Sequence, residues 1–134
     1  MKPVNQEFTH TPEIGQFGDC KRAVIASLLD LEISKVPHFY KESNGDPTKF
    51  WELLQEFVVR YGYIYMTIPY SSGHGFFGYY KPVYHEISGV SPRNSDVFHS
   101  VVGCDGDVFF DPHPDKTGLT DDREKWNYSF LVKI

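Results

Sequence analysis

Three residues of the sequence, Cys20, His99 and Asp111, have the types and the order needed for nucleophilic catalysis by a cysteine. Such chemistry requires a thiolate, an imidazole that moves the proton, a group that orients the imidazole, and donors for the oxyanion. We therefore predict Cys20 as the nucleophile, His99 as the general base and Asp111 as the orienting acid. A side-chain amide from Gln16, or alternatively from Gln6, is expected to join the backbone N–H of Cys20 in the oxyanion hole.

Cys20 is predicted to lie in the first turn of a helix over about residues 20–30. Asp19 is a favourable N-cap, and an apolar stripe follows at helical spacing, formed by Val24, Ile25, Leu28 and Leu29. The unpaired N–H groups and the positive dipole end of a helix N-terminus favour an anion, which lowers the pKa of a thiol placed there. The alternative interpretation is that Cys20 is a small core residue.

A β-hairpin is predicted to bring His99 and Asp111 together. Two apolar runs, 97–103 and 107–111, flank Cys104-Asp105-Gly106, and Asp-Gly favours a tight turn between strands. Pro112 ends the second strand, because proline cannot continue the ladder. The alternatives are that His99 is a satisfied core histidine and that Asp111 is an ordinary turn residue.

The remaining pattern predicts an α+β protein with an N-terminal helical half and a C-terminal sheet. Asp46 as the cap and Pro47 at the first helical position begin a second helix that ends near Gly62. Strands are predicted over 63–68, 84–90 and 126–134. We expect one domain over residues 1–134, with the helix over about 20–30 as its central helix.

Composition excludes several classes of function. The net charge of −5, with 18 acidic and 13 basic side chains spread along the chain, gives no basic block for nucleic acid. No apolar run reaches the ~18 residues needed to span a bilayer, and the N-terminus has no apolar signal-peptide core. We expect a cytoplasmic protein with no membrane or nucleic-acid partner; the sequence leaves the oligomeric state open.

Two other uses of the cysteines remain open. Two cysteines allow one disulfide, although a reducing compartment argues against it. A zinc site is the competing chemical interpretation, because five residues are potential ligands: Cys20, His99, Cys104, Asp111 and His113. No Cys-x-x-Cys or His-x-x-x-His pair occurs, however, so we expect no metal and no cofactor.

A glycine-rich and aromatic segment in the middle of the chain is a candidate for substrate contact. His74 lies between two glycines, and Tyr79 and Tyr80 follow shortly after. We predict that these three side chains contact a peptide substrate. The alternatives are a solvated histidine and ordinary core tyrosines.

Three motifs resemble those of the papain-like cysteine peptidases, most closely the bacteriocin-processing, double-glycine leader peptidase domains that precede some ABC transporters. The motifs are Gly18-Asp19-Cys20 before an Ala- and Leu-rich helix, His99-Ser100-Val101-Val102, and Asp111-Pro112. Together they cover about 40 residues. The chain is also similar to small, mostly uncharacterised phage and bacterial proteins with a Gly-(Asp/Asn)-Cys motif and a late His-x-Val-Val strand.

The resemblance implies a papain-like α+β fold, in which the central N-terminal helix packs on an antiparallel sheet. It also implies a thiol hydrolase that cleaves a peptide or isopeptide bond in a protein or peptide substrate. It assigns the nucleophile to Cys20, the base to His99 and the orienting acid to Asp111. The chain departs from the family at the oxyanion glutamine, whose expected position holds Ile14, so that Gln16 or Gln6 must substitute. Alternatives are a deamidase or transglutaminase-like acyl transferase, or a catalytically impaired phage-encoded binding protein that acts in the host cytoplasm.

Overall fold

The computed structural model of the protein describes residues 1–73, 75, 77 and 82–134, and it confirms the predicted α+β class. The helices are α1 (Cys20–Leu28), α2 (Phe39–Ser43), α3 (Pro47–Arg60) and α4 (Tyr70–Gly73). The strands are β1 (Tyr63–Pro69), β2 (Tyr84–Val90), β3 (Phe98–Cys104), β4 (Asp107–Phe110) and β5 (Asn127–Lys133). No helix in the described part of the chain is long and apolar enough to cross a membrane.

Helix α1 begins at Cys20, as predicted, and its body is completely buried from Ala23 to Ala26. It packs against β3 and makes further contacts with β2. Ser27 connects it to the N-terminal arm, since its hydroxyl accepts from the Val4 N–H at 2.9 Å. Helix α1 is thus held on one side by the sheet and on the other by the start of the chain.

Helix α3 confirms the predicted start and its apolar face. The Asp46 carboxylate accepts from two backbone N–H groups of the first turn, and Pro47 begins the helix. Leu54, Phe57 and Val58 are buried in the cluster that also contains Ile25 of α1. The short helices α2 and α4 were not predicted, because five and four residues are too few to show a helical period.

The five strands form one antiparallel sheet in the order β1-β5-β2-β3-β4. The last strand of the chain therefore lies inside the sheet, between β1 and β2. The predicted turn between β3 and β4 is present, with Asp105 at φ 51° and Gly106 at φ 88°, the left-handed pair of a tight hairpin turn.

Strand β4 is shorter than β3 and pairs only with Val102, Gly103 and Cys104. The first half of β3, which carries His99 and Ser100, therefore has no β4 partner among the described residues. Helix α1 begins beside this open edge, and the candidate site lies at their junction.

Candidate active site

Cys20 is the first residue of α1, and the N-terminus of that helix carries no side-chain cap. Asp19 occupies the N-cap position, as predicted, but the prediction that its carboxylate caps the helix is wrong. The carboxylate accepts instead from the backbone N–H groups of Glu7 and Phe8, at 3.3 and 2.8 Å, and pairs with Arg22. Asp19 thus holds the N-terminal arm in place, and no side-chain cap covers the unpaired N–H groups at the start of α1.

Gly18 allows the arm to lie close to the start of the helix. A Cβ added at Gly18 would lie 3.0 Å from the Cβ of His10, and the Gly18 N–H donates to the His10 imidazole at 3.2 Å. A side chain at this position would push the arm away from α1.

His99 and Asp111 are joined by a buried hydrogen bond. The His99 Nε2 lies 2.7 Å from the Asp111 Oδ1, and both side chains are almost fully buried. The carboxylate also accepts from the backbone N–H groups of His113 at 2.9 Å and Gly118 at 2.7 Å. Burial raises the pKa of Asp111, but these three donors lower it below its ordinary value, so the group is a carboxylate at neutral pH.

The Cys20 thiol and the His99 imidazole interact, and each shifts the pKa of the other toward the ionised form. Asp111 engages Nε2 of His99, so Nδ1 is the nitrogen left for the sulfur. The backbone N–H of Ser100, the residue after His99, also lowers the pKa of the thiol. Thiol, imidazole and carboxylate therefore follow one another from α1 through β3 to the residue after β4.

The charges of this chain favour a thiolate paired with an imidazolium. Burial raises the pKa of the Cys20 thiol, but His99, the Ser100 N–H and the Lys21 ammonium outweigh it, and the pKa lies below its ordinary value. Burial lowers the pKa of His99, but Asp111 and Cys20 overcome this effect and raise it to about 9. Both shifts favour the thiolate and the imidazolium, which together are the reactive form of a cysteine nucleophile.

A cleft of about 970 Å³ opens over Cys20 and His99. Its lining includes the aromatic side chains of Tyr40, Phe50, Trp51 and Tyr65 and the polar side chains of Ser91, Arg93, Asn94 and Asp96. Trp51 lies on helix α3 and is 48% exposed. Its large aromatic ring therefore borders the cleft, where a bound molecule can contact it.

The structure separates the two glutamines that were predicted for the oxyanion hole. The Gln16 amide donates to the carbonyl and the hydroxyl of Thr9, at 2.9 and 3.2 Å, and Gln16 does not border the cleft. Gln6 borders the cleft together with Cys20, and its backbone N–H donates to the Pro112 carbonyl at 3.0 Å. The Gln6 Nε2 donates to the Phe8 carbonyl at 2.6 Å, and its buried Oε1 has no hydrogen-bond partner.

A buried polar network beside the site was not predicted. It consists of Lys21, Tyr65, Glu86 and Ser100, with the Glu86 carboxylate at its centre. A signal was present in the sequence, since Glu86 is the one carboxylate in the predicted strand over 84–90, but its partners are distant in the chain.

Other predictions about the site have different outcomes. His74, Tyr79 and Tyr80, the predicted substrate contacts, lie outside the described residues. Both cysteines are described, and neither forms a disulfide. Among the described residues no three histidine, cysteine or carboxylate side chains are arranged to hold a metal ion.

No family model, no curated protein and no solved structure matches the chain. The function is therefore inferred from the geometry and the chemistry of the site.

Proposed function

We propose that the protein is a cysteine-dependent hydrolase of the papain-like kind, which cleaves a peptide or isopeptide bond through an acyl-enzyme on Cys20. One observation carries the proposal: the Cys20 thiol lies beside the His99 imidazole, whose Nε2 lies 2.7 Å from the Asp111 carboxylate. This is the connectivity that a cysteine nucleophile, its base and an orienting acid require.

In the first half of the reaction the Cys20 thiolate attacks the carbonyl carbon of the scissile bond. A carbon–sulfur bond forms, and the carbonyl oxygen becomes an oxyanion. The tetrahedral intermediate collapses when His99 gives its proton to the leaving nitrogen, which departs as an amine. Asp111 holds the imidazole ring in place throughout and stabilises its positive charge.

In the second half a water molecule replaces the amine in the cleft. His99, now neutral, accepts a proton from the water while the oxygen attacks the thioester carbon. Collapse of the second intermediate releases the carboxylic acid and returns the thiolate and the imidazolium.

The oxyanion needs donors at the start of α1. The Cys20 N–H is at the first position of the helix, where no intrahelical partner exists, and the helix dipole favours negative charge there. Gln6 supplies the second donor in this proposal, because Nε2 carries one hydrogen beyond the one that bonds the Phe8 carbonyl. Gln16 is occupied by Thr9 and is assigned no role in the reaction.

Selective alkylation tests the activated thiol. Iodoacetamide below pH 7 is expected to modify Cys20 much faster than Cys104, which lies at the other end of β3. Peptide mapping by mass spectrometry measures each site separately within one sample. Equal and slow modification of both cysteines would contradict the proposal.

Product analysis then separates hydrolysis from related acyl transfer. Candidate proteins are incubated with the wild-type protein and with the Cys20→Ala variant, and the products are weighed by mass spectrometry. A hydrolase yields two fragments whose summed mass exceeds the substrate by one water. Deamidation, with a gain of about one mass unit, or covalent joining of two chains would instead assign the site to a deamidase or a transglutaminase-like enzyme.

A second candidate is a binding protein that keeps the site without turnover. This candidate is favoured by Ile14, which is 74% exposed. It occupies the position at which the papain-like peptidases that the chain resembles have the oxyanion glutamine. For a binding protein, the Cys20→Ala and His99→Ala variants retain the full biological effect of the wild type. For a hydrolase, both variants lose it.

A further inference from the structure

The carboxylate of Glu86 is fully buried and binds three side chains from three different elements. Its Oε1 accepts from the Ser100 hydroxyl of β3 at 2.7 Å and from the Lys21 ammonium of α1. Its Oε2 accepts from the Tyr65 hydroxyl of β1 at 2.6 Å. A buried charge is tolerated only when it is paired and fully hydrogen-bonded, and this one is both.

Two of the three partners are the immediate chain neighbours of the reactive pair. Lys21 follows Cys20, and Ser100 follows His99. The same oxygen of Glu86 therefore binds the residue after the nucleophile and the residue after the base. In addition, the Ser100 N–H lowers the pKa of the Cys20 thiol. Any shift of Ser100 relative to α1 would change the contact between the sulfur and the imidazole.

We propose that Glu86 is a positioning residue, which fixes the start of α1 against the first half of β3 and so sets the alignment of the Cys20 thiol with the His99 imidazole. This inference rests on the proposed function, because it concerns the geometry of the same reactive pair. It assigns Glu86 no contact with substrate. The carboxylate acts through Lys21 and Ser100.

The architecture explains why such a connection is needed. Strand β4 pairs with β3 only from Val102 onward, so no strand among the described residues fixes the backbone of the first half of β3 on that side. Glu86 lies on β2 opposite Val102 and reaches toward Ser100 on the same side of the sheet. Its carboxylate supplies the link from β3 to α1 that strand pairing does not provide.

Lys21 and Tyr65 keep their protons across the range in which an enzyme of this kind works. Burial raises the pKa of Tyr65 to about 12, with help from Glu86, so that Tyr65 remains a hydrogen-bond donor. Burial lowers the pKa of Lys21, but Glu86 and Tyr65 reverse the effect and hold it above its ordinary value. Lys21 also lies over the rings of Trp51 and Tyr65, at 5.5 and 5.3 Å. These groups therefore act as fixed support, without proton exchange near neutral pH.

Positioning and simple electrostatics predict opposite changes when Glu86 is replaced. A carboxylate near a thiol disfavours the thiolate, so its removal would make Cys20 more reactive if charge were its only effect. If Glu86 positions the pair, its removal weakens the contact with His99, and Cys20 becomes less reactive. The direction of the change in Glu86→Ala therefore distinguishes the two roles.

The main experiment uses Ser100→Ala, which breaks the link to β3 and changes no charge. Ser129→Ala is the matched control, since Ser129 is equally buried, lies opposite Glu86 on β5 and bonds the Thr67 hydroxyl at 2.9 Å. The rate of Cys20 alkylation by iodoacetamide is measured from pH 5 to 10 by peptide mass spectrometry, and the melting temperature of each variant is recorded.

We expect the two serine variants to lose similar stability, because each loses one buried hydroxyl hydrogen bond. Only Ser100→Ala should shift the alkylation profile to higher pH, with a fall of about threefold or more in the rate at pH 6, equivalent to half a pKa unit or more. Ser100→Thr, which retains a hydroxyl, should recover the wild-type profile.

Two negative results have different meanings. An activated Cys20 in the wild type with identical profiles for Ser100→Ala and Ser129→Ala would overturn the positioning role and leave the proposed function intact. A wild-type Cys20 that is no more reactive than Cys104 would overturn the proposed function, and the positioning role with it. Should Glu86→Ala not fold, Ser100→Ala alone decides between the outcomes.

Discussion

The two histidines buried in neighbouring strands, His85 in β2 and His99 in β3, have opposite chemistry. His85 Nε2 accepts the Gly106 N–H at 3.0 Å, and its ring stacks on Phe77 with centroids 4.8 Å apart. His99 contacts a carboxylate and a thiol. Burial lowers the pKa of His85 below its ordinary value, whereas Asp111 and Cys20 raise that of His99 to about 9.

The difference shows that burial in a strand does not decide whether a histidine is structural or reactive. The partners decide it. A donor that needs an acceptor, such as the Gly106 N–H, stabilises a neutral ring, and an anion on each side stabilises an imidazolium. Each of the following predictions tests this contrast between the two histidines.

Replacement of each histidine should separate catalysis from folding. His99→Ala is expected to lower the rate of hydrolysis by about 10³-fold or more, because the proton-transfer group is lost. His85→Phe should keep the stacked ring and the hydrolytic rate of the folded protein. Steady-state kinetics on samples shown to be folded by circular dichroism measures both. Comparable loss of activity in the two variants would remove the contrast.

Asp111→Asn should weaken the imidazolium without removing the ring. We expect kcat/KM to fall by about 10²-fold or more, because the charge that stabilises His99 is lost. Stability should fall as well, since an amide nitrogen placed toward the Gly118 N–H cannot accept its hydrogen bond. Kinetics and thermal unfolding measure the two effects, and an unchanged kcat/KM would show that Asp111 does not orient His99.

These particular residues also show what the sequence alone can predict. Local signals depend only on residues close together in the sequence, and the structure has the elements that they predict. These signals are Asp46-Pro47, Asp105-Gly106 and the apolar stripe of α1. The sequence could identify Cys20, His99 and Asp111 as candidates, because a cysteine, a histidine and an aspartate in this order match the requirements of a cysteine nucleophile. The structure brings these three side chains into contact, and their catalytic roles remain a proposal.

The unpredicted features depend on contacts between distant parts of the chain. The role of Glu86 depends on Lys21, which lies 65 residues away in sequence. Which glutamine, Gln6 or Gln16, lies at the cleft depends on how Asp19 holds the N-terminal arm. The local sequence around Asp19 indicated a helix cap instead. The position of β5 inside the sheet likewise depends on packing, because strand patterns carry no information about strand order.

The decrease of kcat/KM at alkaline pH should follow the deprotonation of His99. His99 must be protonated to give a proton to the leaving amine, so kcat/KM is expected to fall about tenfold per pH unit above about 9. A profile of kcat/KM from pH 5 to 10.5 measures this decrease. A decrease near pH 6.5 would instead show an ordinary histidine.

The loss of folding stability at acidic pH should depend in part on His85, and this effect is expected to be small. Because the native pKa of His85 lies below its unfolded value of about 6.5, the unfolded state binds more protons at low pH. The contribution of the neutral His85 to the free energy of unfolding is complete above pH 6.5 and is lost as the pH falls below that value. Urea unfolding at pH 5 and 7.5 should show a smaller pH dependence for His85→Phe than for the wild type.

His85→Phe also leaves the Gly106 N–H without its acceptor, which should cost about 1–3 kcal/mol at pH 7.5. An equal pH dependence in the two proteins would mean that another group is responsible for the loss of stability in acid.

The proposed mechanism requires that Cys20 and His99 form a thiolate–imidazolium pair. Nitrogen NMR of the imidazole rings, with the protein titrated from pH 5 to 10.5, measures the protonation of His99 directly. We predict that both nitrogens of His99 are protonated at pH 7.5, with a pKa of about 9 that falls in Cys20→Ala, while His85 stays neutral. A His99 that titrates near 6.5 in both proteins would contradict it.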